Sequence, residues 1–366
     1  MKTSLLAYTL LLSLPAVAVE NGTPVDWRAQ DNAVRFDSQQ TGREGLCTGT
    51  LIAGRYVITA AHCLKEEELD SFTTVNGEHH SSSNYIWHKH YDPEDDWGGI
   101  DVGIVTADSS INYYTINFFN ISQHQPGEPI SISGFGGTIE TLNSVALTFR
   151  EYHWADKFLV IADVDNELSH TVTGDSGAVW LNQNNDIMAI HKGSSKVEGY
   201  PRDTYGIDVN AMRAFITETV DGWHYPTAAD SNGRTTITVQ SLHVNEVSDS
   251  AYTEGDATLI TEDSTCITQG PIDAFEKCTY VIESQGGEGK LYLTADEVIS
   301  LNLPEPEPEP EPSPKPNNDS SGGSVGVLSL LGLALFRLRR KEAKNDNGRK
   351  RSSSHFFQPG TPGSFI

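Results

Sequence analysis

Three short strings in one fixed order constrain this chain more than anything else in it: Thr59-Ala60-Ala61-His62-Cys63, then Asp101-Val102-Gly103-Ile104-Val105, then Thr173-Gly174-Asp175-Ser176-Gly177. Together they offer a hydroxyl, an imidazole and a carboxylate. A neutral hydroxyl attacks a carbonyl carbon only if a base takes its proton, a third group holds that base in one tautomer, and N–H donors receive the oxyanion. Ser176, His62 and Asp101 fit the first three duties, and the backbone N–H groups of Gly174 and Ser176 fit the last. Gly174 lacks the Cβ that would hinder the loop from turning those donors inward. Unrelated folds carry this chemistry in different chain orders, so the order His, Asp, Ser selects among architectures.

The three strings resemble the His, Asp and Ser motifs of the trypsin/chymotrypsin serine protease family. The resemblance implies an all-β chain: a trypsin-like double β-barrel with a C-terminal helix over residues 19–224, hydrolysing peptide bonds of protein or peptide substrates through an acyl-enzyme, with no cofactor. It implies a disulfide between Cys47 and Cys63, where the family staples its His loop. Asp95, Asp96 and Asp108 compete with Asp101 for the orienting role, but only Asp101 directly precedes an apolar run, as the family's buried Asp does. In the family a newly cut N-terminus places its ammonium beside the Asp before the nucleophile. Here Val19-Glu20-Asn21-Gly22 is similar to that N-terminus, with Val19 and Asp175 as the ion pair, although Glu20 departs from the usual apolar second residue.

The first residues fit this setting. Lys2, the apolar stretch from Leu5 to Leu14 and Ala16-Val17-Ala18 read as a signal peptide over residues 1–18, too short to span a membrane. The expectation is a secreted or cell-surface protein. Four cysteines in two local pairs, Cys47 with Cys63 and Cys266 with Cys278, suit an oxidising compartment. No CxxC or HExxH spacing points to a metal. A formal charge of −25 removes nucleic acid as a partner.

Between residues 19 and 220 short β-rich runs alternate with turn residues, as in a barrel or sandwich, and Val209-Asn210-Ala211-Met212-Arg213-Ala214-Phe215-Ile216 has helical apolar spacing. Residues 225–303 read as a small β domain with no catalytic set, a disulfide-stapled spacer or docking module. Residues 304–320 form a Pro/Glu-rich stalk held extended by proline and charge repulsion. Residues 321–341 join Gly322-Gly323, a short apolar helix and a basic stop, and resemble the GlyGly C-terminal sorting signal of Gram-negative secreted proteins, processed by a rhomboid-like protease. An ordinary tail anchor is the alternative; either way the segment meets a membrane at least transiently, and residues 342–366 read as disordered.

The pocket for the residue before the scissile bond departs from trypsin. His170 stands where trypsin carries its selecting Asp, and Val172 replaces a cysteine, so the warrant for cleavage after Arg or Lys is lost. Ala189-Ile190-His191-Lys192-Gly193 resembles the Gly-Ile-His-Trp-Gly stretch of glutamyl endopeptidases, with Thr171 at their hydroxyl position. His170, Thr171, His191 and Gly193, with Lys192 nearby, therefore suggest Glu or a small residue before the cut, while His191 could equally be a packed barrel residue. His79, His80, His88, His90 and His124 read as solvated surface histidines. Two other functions stay open: a catalytically silent binding protein on the same fold, and an esterase or acyl transferase using the same triad.

Overall fold

Two seven-stranded antiparallel sheets carry the first two-thirds of the described chain. The computed structural model describes residues 19, 21–65, 69–94, 99–136, 138, 141–166 and 168–304. The signal segment and everything from residue 305 onward, which includes nearly all of the expected stalk, the Gly-Gly segment and the tail, lie outside the described residues. So do Glu20, Asp95 and Asp96.

The first sheet runs in the order His79–Ser81, Ser71–Thr73, Ala33–Ser38, Arg43–Ile52, Tyr56–Thr59, Gly103–Thr106, Tyr85–Trp87. Its central hairpin pairs Thr50 with Ile58 and Leu51 with Val57, and the second strand leads straight into the short helix Ala61–Lys65 that carries His62. The second sheet closes on itself, because Pro129–Gly134 pairs both with Leu142–Tyr152 and with Val179–Leu181. The helix Val209–Val220 begins where the Asp208 carboxylate accepts from Asn210 N–H and buries Met212, Phe215, Ile216 and Val220, running one turn past its sequence signal. One core cluster joins this helix to both barrels through Ile52, Ile104, Ile187 and Ile207.

Two histidines expected at the surface are buried. His88 packs edge-on against Phe215 of the helix, and His124 lies between Glu128 and Asp208 at 3.7 and 3.6 Å while stacking on Tyr152. Polar local sequence misled the reading, because the helix and the strand Leu142–Tyr152 that cover these rings come from far along the chain.

Beyond Trp223 the chain forms two four-stranded sheets with a shared apolar core that includes Trp223, Ile237, Tyr280 and Leu291 and both cysteines of the Cys266–Cys278 disulfide. This region is fused to the barrels rather than hung from them: the described residues through 304 form one compact unit. Leu242 and Phe275 belong to the core cluster that also holds Ile187, Ile207 and Phe215. Gln240 satisfies three backbone groups at the seam, reaching across it to donate to the Phe119 carbonyl and accept from Phe119 N–H, and donating on its own side to the Phe275 carbonyl, all at 2.9 Å. His224, fully buried, accepts from Ala53 N–H at Nδ1 (3.1 Å) and donates from Nε2 to the Asn117 carbonyl (3.0 Å). Burial pushes its pKa down to about 4, so it is neutral. Among the described residues no helix is long and apolar enough to cross a membrane.

Candidate active site

His62 and Asp101 meet because two neighbouring strands of the first barrel, Tyr56–Thr59 and Gly103–Thr106, leave the sheet at the same end. Asp101 is buried and grips His62 twice: Oδ2 lies 2.7 Å from Nδ1, and Oδ1 accepts the His62 backbone N–H at 2.9 Å. The proton therefore sits on Nδ1, and Nε2 is left as the basic nitrogen. Lys192, from the second barrel, reaches the same Oδ2 at 3.4 Å. Burial alone would raise the Asp101 carboxyl, but the hydrogen bond and charge of His62 and the Lys192 ammonium outweigh it and hold the group ionised below its ordinary range.

Ser176 comes from the loop before the strand Val179–Leu181. Its backbone is held by the first barrel: Thr48 N–H donates to the Ser176 carbonyl, and Thr48 Oγ1 donates to the Gly174 carbonyl, both at 2.8 Å. Thr48 sits beside Cys47, and the Cys47–Cys63 disulfide ties its strand to the residue after His62. One segment thus anchors both His62 and Ser176. The glycines flanking Asp175-Ser176 are required by geometry: Gly174 (φ +105°) and Gly177 (φ +86°) occupy left-handed backbone, and a Cβ on Gly177 would come within 2.3 Å of the Thr48 carbonyl oxygen. Ser176 Oγ rests 3.5 Å from the Lys192 carbonyl. Cys47, His62 and Cys63 also cluster as a metal site would, but the disulfide consumes both sulfurs.

Asp175 is fully buried, its carboxylate accepting from Gly136 N–H (2.9 Å) and Val172 N–H (2.8 Å). No cation pairs with it among the described residues, and burial, only partly offset by those two donors, pushes its pKa up to about 7. Val19 is completely buried in the core of the second barrel, in the cluster that also contains Ala178.

A cavity of about 360 Å³ opens beside Ser176, walled by His170, Thr171, Gly193, Ser194 and Arg202. His191 is placed elsewhere: it is buried inside the barrel, its Nδ1 accepting from Trp180 Nε1–H at 3.3 Å, and burial drives its pKa down to about 3. Arg202, which the sequence reading missed, completes the pocket. It donates from Nη2 to His170 Nε2 (3.2 Å) and from Nη1 to Ser194 Oγ (3.4 Å). No local motif marks it; only the pairing of Ile187–Lys196 with Arg202–Asp208 brings it there. Thr48 was equally silent in the sequence, its role being set by contacts with a loop far along the chain.

A family model described as Trypsin matches residues 21–216. Venom serine protease 34 of Apis mellifera is 28% identical over 25% of this chain, which spans 28% of that relative's length. Among solved structures, neuropsin, a serine protease expressed in the limbic system of mouse brain, is 20% identical, covers 55% of this chain and 99% of its own, and superposes with a TM-score of 0.48. Human heparin binding protein is 19% identical over 54% of this chain and 94% of its own, at a TM-score of 0.47.

Proposed function

The chain belongs to the trypsin family, and on that premise we propose that it is an exported serine endopeptidase working through Ser176, His62 and Asp101. The observation that carries the reading is the double grip of Asp101 on His62, at 2.7 and 2.9 Å, which leaves Nε2 as the basic nitrogen. In the reaction His62 Nε2 takes the proton of Ser176 Oγ as the oxygen bonds to the substrate carbonyl carbon. The backbone N–H groups of Gly174 and Ser176 receive the oxyanion, and the proton passes from His62 to the departing amine. Water then repeats the sequence on the acyl-enzyme and frees Ser176.

Activation follows removal of residues 1–18. A free ammonium on the buried Val19 supplies the cation that the buried Asp175 lacks, and so orders the pocket and the loop that carries the Gly174 and Ser176 N–H groups. The two disulfides agree with an oxidising compartment outside the cytoplasm. The Gly-Gly, apolar and basic series after the stalk would bring a rhomboid-like protease as a processing partner, with the mature enzyme released at the surface or into the medium. The pocket beside Ser176 has no carboxylate on its wall among the described residues, which disfavours Arg or Lys before the scissile bond and leaves Glu or small residues as the preferred side chains.

An organophosphonate tests the reading. It should add one label to the active chain, located by mass spectrometry at Ser176 and absent from Ser176→Ala, and the same preparation should cleave a peptide library. N-terminal sequencing of the active protein should begin at Val19. A folded, correctly processed chain that neither labels nor cleaves would instead be a silent binding protein.

A further inference from the structure

Among the described residues Arg202 is the one arginine or lysine on the pocket wall, and its hydrogen-bond partners there do not use its charge. Its guanidinium donates to a neutral hydroxyl, Ser194 Oγ, and to the His170 Nε2 lone pair, neither of which is an anion. By accepting from Arg202, Nε2 bears no proton, so His170 brings no charge of its own to that contact. The Arg202 Nε atom is shielded from solvent with no hydrogen-bond partner, and so is Thr171 Oγ1 on the same wall. Buried donors left unmatched cost free energy that a ligand with matching acceptors recovers. The wall carries no acidic side chain among the described residues, while Ser176 stands in the same cavity.

We infer that Arg202 is the specificity-determining residue of this pocket and that it selects an acidic side chain immediately before the scissile bond, an inference that rests on the endopeptidase reading. A carboxylate in the cavity meets a guanidinium whose fork presents paired N–H donors. Thr171 adds a hydroxyl donor to the same anion. A Lys or Arg side chain would instead face a like charge in a confined space. An Ala side chain would leave the unmatched donors as they are, so the pocket tolerates it without rewarding it. In this arrangement His191 shapes the barrel behind the site through Trp180, while the charge that reads the substrate belongs to Arg202.

The test uses the full-length processed enzyme and three chromogenic peptides that differ only in Glu, Ala or Arg before the scissile bond. Each protein is titrated with the organophosphonate so that rates refer to active sites. Wild type should rank Glu above Ala above Arg in kcat/KM. Arg202→Gln should lower the Glu-to-Ala ratio by about 100-fold, the size expected for removing one partner of a desolvated charge pair. Arg202→Lys, which keeps the charge and loses the fork, should retain an intermediate ratio, and it decides the matter alone if Arg202→Gln does not fold. A ratio unchanged in these variants, or wild-type cleavage after Arg equal to that after Glu, overturns the assignment to Arg202 while labelling at Ser176 leaves the endopeptidase reading standing. No labelling and no cleavage of any peptide overturns both.

Discussion

The cleft between the barrels and the seam that joins them to the C-terminal β region are both buried and both polar, yet they treat polar groups in opposite ways. At the seam the accounts close: Gln240 uses its carbonyl and amide on three backbone groups, and both nitrogens of His224 are matched. In the cleft they stay open. Thr171 Oγ1 and Arg202 Nε have no partner, and Asp175 is a buried carboxylate with no cation beside it among the described residues. A satisfied buried polar group holds one backbone arrangement in place; an unsatisfied one is costly and persists where something else comes to meet it. The contrast separates what is structural here from what is proposed to receive a substrate or a new N-terminus.

The comparison can be broken by changes that cross it. The largest effect is expected at Ser176→Ala, which should lower kcat/KM by about 10⁶-fold with no change in melting temperature, because members of a triad act as one unit. A matching fall in thermal stability would mean that the cleft holds the fold together as well. On the other side, Leu242→Ala removes a side chain with no solvent exposure from the core shared with the barrels. It should cost about 2–5 kcal/mol in urea unfolding while leaving kcat/KM at low temperature within a few-fold of wild type.

The two disulfides sharpen the division. Replacing Cys266 and Cys278 by Ser should lower stability by about 2–4 kcal/mol and leave activity intact. Replacing Cys47 and Cys63 should cost a similar amount and also reduce kcat, since that bridge fixes the segment carrying Thr48 to the one carrying His62. Equal activity in both double variants would remove the anchoring role of the Thr48 segment.

A smaller effect distinguishes the two regions by pH. For His224 the unfolded chain binds protons below 6.5 while the folded chain resists until about 4. Stability is therefore full above 6.5 and falls as the pH drops through that window, by about 1–3 kcal/mol. Asp175 has the opposite sign. Between its unfolded value of 3.8 and about 7 the folded chain holds the extra proton, so stability declines as the pH rises across that range. In a chain whose N-terminal extension is still attached, Asp175→Asn should abolish the alkaline decline, and His224→Gln should flatten the acid one. Melting curves from pH 4 to 8 read both, and the alkaline decline should also vanish in wild type once Val19 is a free N-terminus.

The residues proposed for the reaction each lie in a short string whose neighbours are dictated locally: Gly174 and Gly177 by positive φ, Asp101 by the strand it precedes. The short β-rich runs before residue 220 and the helix from Val209 were legible for the same reason, through apolar spacing. Arg202, Thr48 and the buried state of His88 and His124 were not. Thr48, His88 and His124 depend on partners brought from elsewhere in the chain, and Arg202 on the register of a hairpin that pairs it with Lys196; polar local surroundings gave no sign of either. The β region was legible as strands and as a disulfide loop, but its fusion to the barrels rests on Gln240, Leu242 and Phe275, which look like ordinary members of a small domain.

That fusion also sets an order of events in the life of the chain. A polypeptide emerges from the ribosome, or threads through a translocation pore, N-terminus first, so His62, Asp101 and Ser176 all appear before the segments that supply Leu242 and Phe275. Until those arrive, the core around Ile187, Ile207 and Phe215 lacks part of its cover, and the Phe119 backbone lacks the Gln240 amide. The three residues proposed for catalysis are thus synthesised before the downstream residues that complete the core around them.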